Sequence, residues 1–405
     1  MVKNFISEDD IEKDLLQQLQ TRHQYQTLNC YTVNPDDLND RSNRADKRDV
    51  LLRDRLHHAC QTLNPNIPEK VIAETVEILA QRRTAMNDLK ANREVYSFIR
   101  DGISVEYQDP QGKKQTGIVR PIDFDNPDNN QYLAVSQLWI KATGRIPKAP
   151  YRRPDVILYI NGIPLVFIEL KNATVKLRTA YDENLKDYRN DIPQLFHYNG
   201  FCILSNALET KVGSSSASWD YFFNWFRIAD EKEPINRQQI SENLTSLEYA
   251  IDGLANPQRL LDYLENFIFF QDKNGIETKI IAQNHQFLGV NNAYQKFLER
   301  DKYQGKLGVF WHTQGSGKSF SMIFYTRKIL RKITGNFTFV VVTDRQDLDR
   351  QIYRNFLSAG VVSKNESACP KDAAQLRQYL GQNKKIIFTL IHKFGYDLSL
   401  IHIWR

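Results

Sequence analysis

A glycine-rich turn between an apolar run and a helix-forming segment is the feature that most constrains this fold. Residues 307–311 are apolar, the turn ends in Gly317-Lys318-Ser319, and helix-forming residues follow. In such a strand–loop–helix unit, glycines let backbone N–H groups face a polyphosphate, and the helix start adds its positive dipole end. Lys318 would reach the β- and γ-phosphates, and the Ser319 hydroxyl would ligate Mg²⁺. The sequence therefore predicts a nucleoside triphosphate site.

The phosphate-loop match is to a short core. The general pattern asks for glycine five positions before Gly317, where this chain has His312, so we interpret the loop as a helicase-like variant. The alternative is a chance glycine-rich turn, but strand, loop and helix signals occur in the right order. The residues predicted to contact nucleotide are Thr313, Gln314, Gly315, Ser316, Gly317, Lys318 and Ser319.

Alternating strand and helix signals organise the C-terminal part. Strands are predicted at 307–311, 337–343 and 385–390, with helices reaching about 332 and covering 346–356, an order typical of a parallel αβα sheet. The N-terminal part reads as helices over 8–20, with Ser7 as N-cap, and 69–89, followed by a mixed sheet. Its strands are predicted at 103–107, 117–122, 132–139, 156–160, 165–170 and 201–205. We expect one domain over 1–230, a linker over 231–275 and a second domain over 276–405.

Composition sets broad bounds on the class of protein. The 405 residues carry 54 Lys and Arg against 48 Asp and Glu, a mild excess that fits a polyanionic partner without requiring one. The four cysteines lie far apart, which argues against a zinc site or a disulfide framework. No apolar run is long enough to span a membrane, and we expect a cytoplasmic protein.

A second chemical signature lies in the N-terminal part. Pro154-Asp155 precedes an apolar run, Asn161-Gly162 marks a turn, and a second apolar run ends in Glu169-Leu170-Lys171. Glu169 and Lys171 share one face of a strand because side chains alternate. A two-residue loop would set Asp155 opposite Ile168, so we predict a three-residue loop or a bulge that sets it opposite Glu169.

Two carboxylates held together in this way would suit Mg²⁺, with water completing its coordination. Lys171 could position or activate the attacking water and stabilise charge on a phosphate. The alternative is that these residues are hairpin-end surface charges that pair with one another. A buried strand that ends in charge favours the functional interpretation.

Taken together, these residues resemble the R subunit of type I restriction-modification enzymes. The resemblance rests on Pro154-Asp155, residues 161–165, residues 169–172, residues 191–199 and residues 311–319, and extends to about Phe394. It implies a PD-(D/E)xK nuclease domain followed by a partial RecA-like domain of a superfamily 2 DNA translocase. The implied cofactors are ATP and Mg²⁺, and the implied partners are double-stranded DNA and the modification and specificity subunits.

The resemblance also assigns residues. Asp155, Glu169 and Lys171 match the nuclease triad, and Glu12 is the candidate for an additional acidic residue on the first helix. The family usually has Gln-x-x-x-Tyr after the nuclease strand, so Tyr188 carries over, whereas Asn184 is a departure.

In the motor part, Gln286 resembles an adenine-reading glutamine, with an exposed polar helix start as the alternative. Thr343 and Arg345 resemble residues that contact the DNA backbone. Capping of the next helix by Asp344 or Thr343 is the alternative for that segment.

Three functions are compatible with these observations. The first is an ATP-dependent restriction subunit that cleaves double-stranded DNA during translocation. The second is a repair-type helicase–nuclease acting on DNA ends, and the third is a non-catalytic DNA-binding fragment. We expect a truncated chain, because no Asp-Glu-x-His motif follows the phosphate loop and residues 398–403 match a translated sequencing adapter, so that 398–405 would be non-native. Such a chain would bind ATP but hydrolyse it poorly.

Overall fold

The computed structural model describes residues 7–109, 111–243, 245–273, 275–361, 363 and 367–394. The chain separates into two compact units, Met1–Ile268 and Phe269–Arg405. Residues 398–405, which we expected to be non-native, lie outside the described residues. The range 231–275, expected to be a linker, contains helices that pack within the first unit.

The first unit is an α/β structure. Its elements are α1 (Glu8–His23), β1 (Gln26–Asn29), α2 (Arg53–Leu63), α3 (Glu69–Ala80), α4 (Asp88–Asp101), β2 (Ile103–Gln108), β3 (Lys114–Val119), β4 (Tyr132–Ser136), β5 (Ile140–Lys141), β6 (Tyr151–Arg152), β7 (Val156–Ile160), β8 (Ile163–Leu170), α5 (Leu177–Thr179), α6 (Lys186–Asp191), α7 (Pro193–Phe196), β9 (Phe201–Ser205), β10 (Thr210–Gly213), β11 (Phe223–Asn224), α8 (Arg237–Glu242), α9 (Ser246–Leu254) and α10 (Pro257–Asn266).

The mixed sheet predicted from the sequence is present, but the strands predicted at 103–107 and 117–122 are not part of it, because β2 and β3 pair with each other in a separate antiparallel sheet. Seven strands lie in the order β1-β4-β7-β8-β9-β10-β11. The β1–β4 and β8–β9 pairs are parallel, whereas β4–β7, β7–β8, β9–β10 and β10–β11 are antiparallel. Every residue of β7, β8 and β9 is buried, as expected for central strands covered on both faces. Helices α1 and α9 pack against this centre.

Two helix predictions for the first unit have different outcomes. Helix α1 begins as predicted, because the Ser7 hydroxyl accepts a hydrogen bond from the Asp10 N–H and the Asp10 carboxylate accepts from the Ser7 N–H. The single helix expected over 69–89 is wrong. It is broken between α3 and α4, where the Arg83 guanidinium donates to the carbonyl groups of Leu79 and Gln81 and so satisfies the helix end.

The second unit contains two of the three predicted strands, and they pair in parallel. Its sheet has the order β14-β16-β15, with both pairs parallel. A separate pair, β12–β13, precedes it. The elements are β12 (Ile268–Lys273), β13 (Ile276–Ile281), α11 (Asn284–Leu298), α12 (Lys318–Lys332), β14 (Phe339–Thr343), α13 (Gln346–Ser358), β15 (Ser367–Ala368), α14 (Ala373–Leu380) and β16 (Ile386–Leu390).

The strand predicted over 307–311 is absent. Among the described residues no strand pairs with this segment, and Val309 and Trp311 are 93% and 78% exposed. An apolar run becomes an inner strand only where neighbouring strands supply hydrogen-bond partners on its edges.

Candidate functional site

The β7–β8 hairpin sets the geometry of the site. Its turn residues, Asn161 and Gly162, both have positive φ, 51° and 80°, as a two-residue type I′ turn requires. A bulge lies in β8 opposite Leu158 and Tyr159, and beyond it Val156 pairs with Ile168. The register therefore continues with Asp155 opposite Glu169. The prediction of a three-residue loop or a bulge is confirmed in its second form.

Two carboxylates lie at this end of the hairpin, that of Asp155 partly buried and that of Glu169 buried. The Asp155 Oδ2 atom accepts a hydrogen bond of 2.7 Å from the Leu170 N–H, yet burial raises the pKa of Asp155 to about 6. Glu169 is 1% exposed, and burial together with the negative charge of Asp155 raises its pKa well above the usual value. Its Oε2 atom has no hydrogen-bond partner in the part of the chain that the structure describes.

Lys171 supplies a positive charge beside this pair. Its ammonium donates to the Leu170 carbonyl at 2.8 Å and to Glu169 Oε1 at 3.2 Å, and lies 3.7 Å from Glu8 Oε1. Burial lowers the pKa of Lys171, but the charges of the neighbouring carboxylates outweigh burial and raise it overall. A lysine in this state is a cation suited to stabilising a phosphate and is poorly suited to accepting a proton from water.

Two acidic residues of α1 reach the same region. Glu12, the residue chosen from the sequence, is buried and accepts a hydrogen bond from the Gln137 side chain, and burial raises its pKa. Sequence reasoning missed Glu8, whose Oε1 accepts a 3.2 Å hydrogen bond from the Asn172 N–H. Beside the larger effect of burial, both carboxylates contribute to the raised pKa of Asp155. Glu8 could have been predicted from the sequence, because residues four apart, such as Glu8 and Glu12, lie on the same face of a helix.

Gln137, also missed, joins three elements of the site. Its φ is 56°, which an L-residue adopts only at a cost, and which ends β4 three residues before the predicted boundary. Its backbone N–H donates to the Asp155 carbonyl at 3.0 Å, while its side chain donates to Glu12. Gln137 therefore ties α1 and β4 to the residue that begins the hairpin.

Tyr188 lies beside the carboxylates but has a backbone partner. Its hydroxyl donates to the Arg153 carbonyl at 3.0 Å, and its ring packs against Phe167 at 5.5 Å. Burial, with the nearby charges of Glu169 and Asp155, raises its pKa well above 10.0. Asn184 lies in the π-helical turn Ala180–Leu185 that precedes α6, a kind of turn common at functional sites.

The carboxylate pair fits a divalent cation in its chemistry. The described residues contain no cluster of three or more His, Cys, Asp or Glu side chains arranged to hold a metal ion. The protein would therefore contribute Asp155 and Glu169, with water and a phosphate oxygen completing a hard-cation site. Within this pair, Glu169 Oε2 most needs such a ligand, because it is buried and has no hydrogen-bond partner among the described residues.

In the second unit, the phosphate loop runs directly into α12. Gly315 and Gly317 have positive φ, 82° and 78°, and the helix begins at Lys318 with Gly317 as N-cap. The Lys318 ammonium donates to the carbonyl groups of His312 and Thr313, both at 2.9 Å. The remaining predicted contact residues, Gln314, Ser316 and Ser319, lie in the loop or the first turn of α12.

Gln286 contacts the loop directly. Its Oε1 atom accepts from the Gln283 N–H at 2.9 Å, while its Nε2 group donates to the carbonyl groups of Gly317 at 3.1 Å and Ser316 at 3.4 Å. It is buried, so the alternative of an exposed helix-start residue is wrong. Both the oxygen and the nitrogen of the Gln286 side-chain amide are hydrogen-bonded to protein atoms. To form hydrogen bonds with adenine, the side chain would have to break these bonds.

Thr343 and Arg345 lie at the end of β14 and the start of α13. The Thr343 hydroxyl donates to Asp349 Oδ1 at 3.3 Å, and Arg345 is the exposed N-cap residue of α13, which has no side-chain cap. The alternative that Asp344 or Thr343 caps this helix is therefore wrong.

Comparisons with known proteins match both units. The family described as type I restriction enzyme R protein N terminus matches residues 5–221, and the family described as SWI2/SNF2 ATPase matches residues 285–402. The chain is 36% identical over 401 residues to the type I restriction enzyme HindI endonuclease subunit of Haemophilus influenzae, covering 96% of this chain and 36% of that protein. It is 32% identical over 376 residues to the putative type I restriction enzyme MjaIXP endonuclease subunit of Methanocaldococcus jannaschii, covering 87% and 34%.

The chain spans about a third of the length of these curated relatives. Among the helices that the structure describes, none combines the length and apolarity needed to cross a membrane.

Proposed function

The chain belongs to the family of type I restriction enzyme R proteins, and on this premise we propose that it is the nuclease and motor part of a restriction endonuclease. In this proposal the first unit is a PD-(D/E)xK domain that cleaves double-stranded DNA with Mg²⁺. The second unit is a partial RecA-like motor lobe that binds ATP. Modification and specificity subunits would supply recognition of the DNA sequence.

The observation that carries this proposal is the meeting of Asp155, Glu169 and Lys171 at one end of a buried hairpin. The pKa values of Asp155 and Glu169 are both raised, because the fold holds the two carboxyl groups together despite their mutual repulsion and poor solvation. Such an arrangement costs folding stability, and binding of a cation removes that cost. The alternative of paired surface charges does not fit, because Glu169 is 1% exposed and its Oε2 atom lacks a partner among the described residues.

Each residue then has a role in phosphodiester cleavage. Asp155 and Glu169 would hold Mg²⁺, which polarises the phosphate and lowers the pKa of a bound water. Lys171 would stabilise the negative charge that develops on the phosphate. Glu12 and Glu8 would place further negative charge on the helix side of the site, and Tyr188 would fix the backbone at Arg153.

In the second unit, the proposal assigns the loop from Thr313 to Ser319 to ATP and its Mg²⁺, with Lys318 on the phosphates and Ser319 on the metal. Gln286 would border the adenine side of this site. Thr343 and Arg345 would contact the DNA backbone during translocation, Arg345 through its exposed guanidinium.

The test is nicking of supercoiled plasmid by the whole chain, with Mg²⁺, with Ca²⁺ and with EDTA. We expect nicked circles with Mg²⁺ only, and no activity in Asp155→Asn or Lys171→Met. Lys186→Met is the matched control, because Lys186 pairs with Asp182 on the surface. Supercoiled plasmid also separates this function from that of an end-dependent helicase–nuclease, which would degrade linear DNA and leave closed circles intact.

Calorimetric titration with Mn²⁺ provides a second measurement that does not depend on partner subunits. One site that is lost in Asp155→Asn and Glu169→Gln would support the proposed centre even if cleavage needs the modification and specificity subunits. Absence of both nicking and cation binding in the wild-type chain would refute it.

A further inference from the structure

Arg153 lies beside the proposed nuclease centre and packs on aromatic rings, with no ion pair among the described residues. Its guanidinium lies over the Trp139 ring, 4.8 Å from the centroid, and over the Tyr31 ring at 5.1 Å. Within the described residues, no carboxylate lies within ion-pair distance of it, and no acceptor takes a hydrogen bond from its side chain. Its neighbour Arg152 differs, because that guanidinium pairs with Asp187 and Asp191.

The surroundings make this arginine rigid. The Trp139 indole N–H donates to the Thr32 carbonyl at 3.0 Å, which fixes the ring and the loop that carries Tyr31. The Tyr188 hydroxyl fixes the Arg153 carbonyl at 3.0 Å, and Pro154 restricts Arg153 to extended backbone conformations. A guanidinium stacked in this way loses little conformational entropy when it binds a ligand.

Arg153 also belongs to the segment that leads into the candidate centre. Arg153 lies two residues before Asp155, and its positive charge acts on Glu12, a carboxylate of the same site. One side of the aromatic pair is open to solvent, because Tyr31 is 53% exposed. Unused donors on a planar cation next to a phosphodiester-cleaving centre match the geometry of a phosphate oxygen pair.

We propose that Arg153, whose guanidinium lies over the rings of Tyr31 and Trp139, binds a phosphate group of the DNA strand that enters the Asp155–Glu169 centre. This inference rests on the proposed nuclease function and names a substrate contact that the triad does not include. The aromatic rings hold the guanidinium in place, and a bidentate contact to one phosphate positions the strand.

The test measures binding of a fluorescein-labelled duplex by the whole chain in Ca²⁺ over a series of salt concentrations. For Arg153→Ala we expect the DNA affinity to fall at least about tenfold at low salt. The negative slope of the logarithm of the association constant against the logarithm of salt concentration should become shallower by about 1, which corresponds to the loss of one phosphate contact. Arg153→Lys keeps the positive charge but loses the planar set of N–H donors, so this variant should retain the salt dependence of the wild-type chain and lose part of its DNA affinity.

Arg237→Ala is the matched control, because Arg237 also stacks on an aromatic ring, that of Phe226 at 5.4 Å. It should leave both affinity and slope unchanged. If Arg153→Ala lowers the melting temperature but leaves the slope at the wild-type value, Arg153 is only a packing residue and the inference is wrong. A wild-type chain that neither binds nor nicks DNA would instead refute the nuclease function, and with it this inference.

Discussion

The Lys171 ammonium lies 3.2 Å from Glu169 Oε1 and leaves Glu169 Oε2 without a partner in the described part of the chain. Asp155 stands opposite Glu169 in the hairpin register, and its carboxylate adds a second negative charge beside this oxygen. The site is therefore electrostatically strained in a way that a bound cation would relieve.

The unfavourable charge of Asp155 at this site leads to a prediction about the free energy of unfolding and its dependence on pH. With the folded pKa at about 6 and an ordinary value near 3.8 in the unfolded chain, the folded state holds the proton more tightly. Below both pKa values the carboxyl group is protonated in both states and has no effect on stability. As pH rises from about 3.8 to about 6, the folded state loses stability, and above pH 6 this loss is complete. In EDTA at pH 8, Asp155→Asn should therefore stabilise the chain by on the order of 1–3 kcal/mol, measured by urea unfolding.

At pH 5 the stabilisation by Asp155→Asn should be about half as large, since part of it disappears with the titration of the carboxyl. Asp14→Asn, an exposed change on α1, is the control and should have little effect at either pH. Destabilisation by Asp155→Asn at pH 8 would show that the hydrogen bond from Leu170 outweighs the buried charge.

The hairpin turn offers a second prediction through a matched pair of glycines. Gly162 and Gly112 have nearly the same φ, 80° and 78°, but a Cβ at Gly162 would lie 2.4 Å from the Leu52 carbonyl oxygen, whereas at Gly112 it would meet nothing described within 4 Å. Gly112→Ala should cost about 1 kcal/mol, from the left-handed backbone alone. Gly162→Ala should cost at least about 3 kcal/mol, since backbone must also move.

Chemical denaturation of both alanine variants measures this difference. Plasmid nicking by Gly162→Ala should fall as well, because the turn sets the register that places Asp155 opposite Glu169. Equal costs at the two positions would mean that the approach of Leu52 does not hold the hairpin in place.

The sequence allowed the hairpin centre to be predicted because its determinants are local. Side-chain alternation, the Asn161-Gly162 turn and the need to bring two carboxylates together were enough to require a bulge. Glu8 could have been found by the same reasoning, since it lies one helical turn before Glu12. Gln137 could not, because its conformation depends on contacts with Glu12 and Asp155, which are distant in sequence.

Long-range pairing also explains the predictions that are wrong. The apolar run over 307–311 has the composition of a strand, but strand formation requires neighbours that composition does not reveal. Helical periodicity continued across Gln81, where the ends of α3 and α4 are determined by the Arg83 contacts and by Asn87, which accepts from the Leu89 N–H at 3.0 Å. Both outcomes depend on tertiary contacts, which composition and periodicity do not show.

Lys318 leads to a prediction for the phosphate loop. Its ammonium is exposed and, within the described part of the chain, bonds only to loop carbonyl groups, so Lys318→Ala should change the free energy of unfolding by less than about 0.5 kcal/mol. The affinity for a fluorescent ATP analogue with Mg²⁺ should fall about 10- to 100-fold, the value of one or two charge-assisted hydrogen bonds. Lys302→Ala, a change at an exposed lysine, is the control. Unchanged ATP affinity in Lys318→Ala would rule out this loop as the nucleotide site.

Gln286 supports the phosphate loop through its side-chain amide, and this contact determines how its replacement should act on nucleotide choice. The amide donates to the carbonyl groups of Ser316 and Gly317, atoms of the loop that would bind phosphates common to ATP and GTP. Gln286→Ala should therefore weaken ATP and GTP binding by the same factor, about 5- to 10-fold for a buried hydrogen bond. Gln295→Ala, on the exposed side of the same helix, should change neither affinity. Competition titrations with both nucleotides measure the two factors, and a loss confined to ATP would show that Gln286 leaves the loop to read adenine.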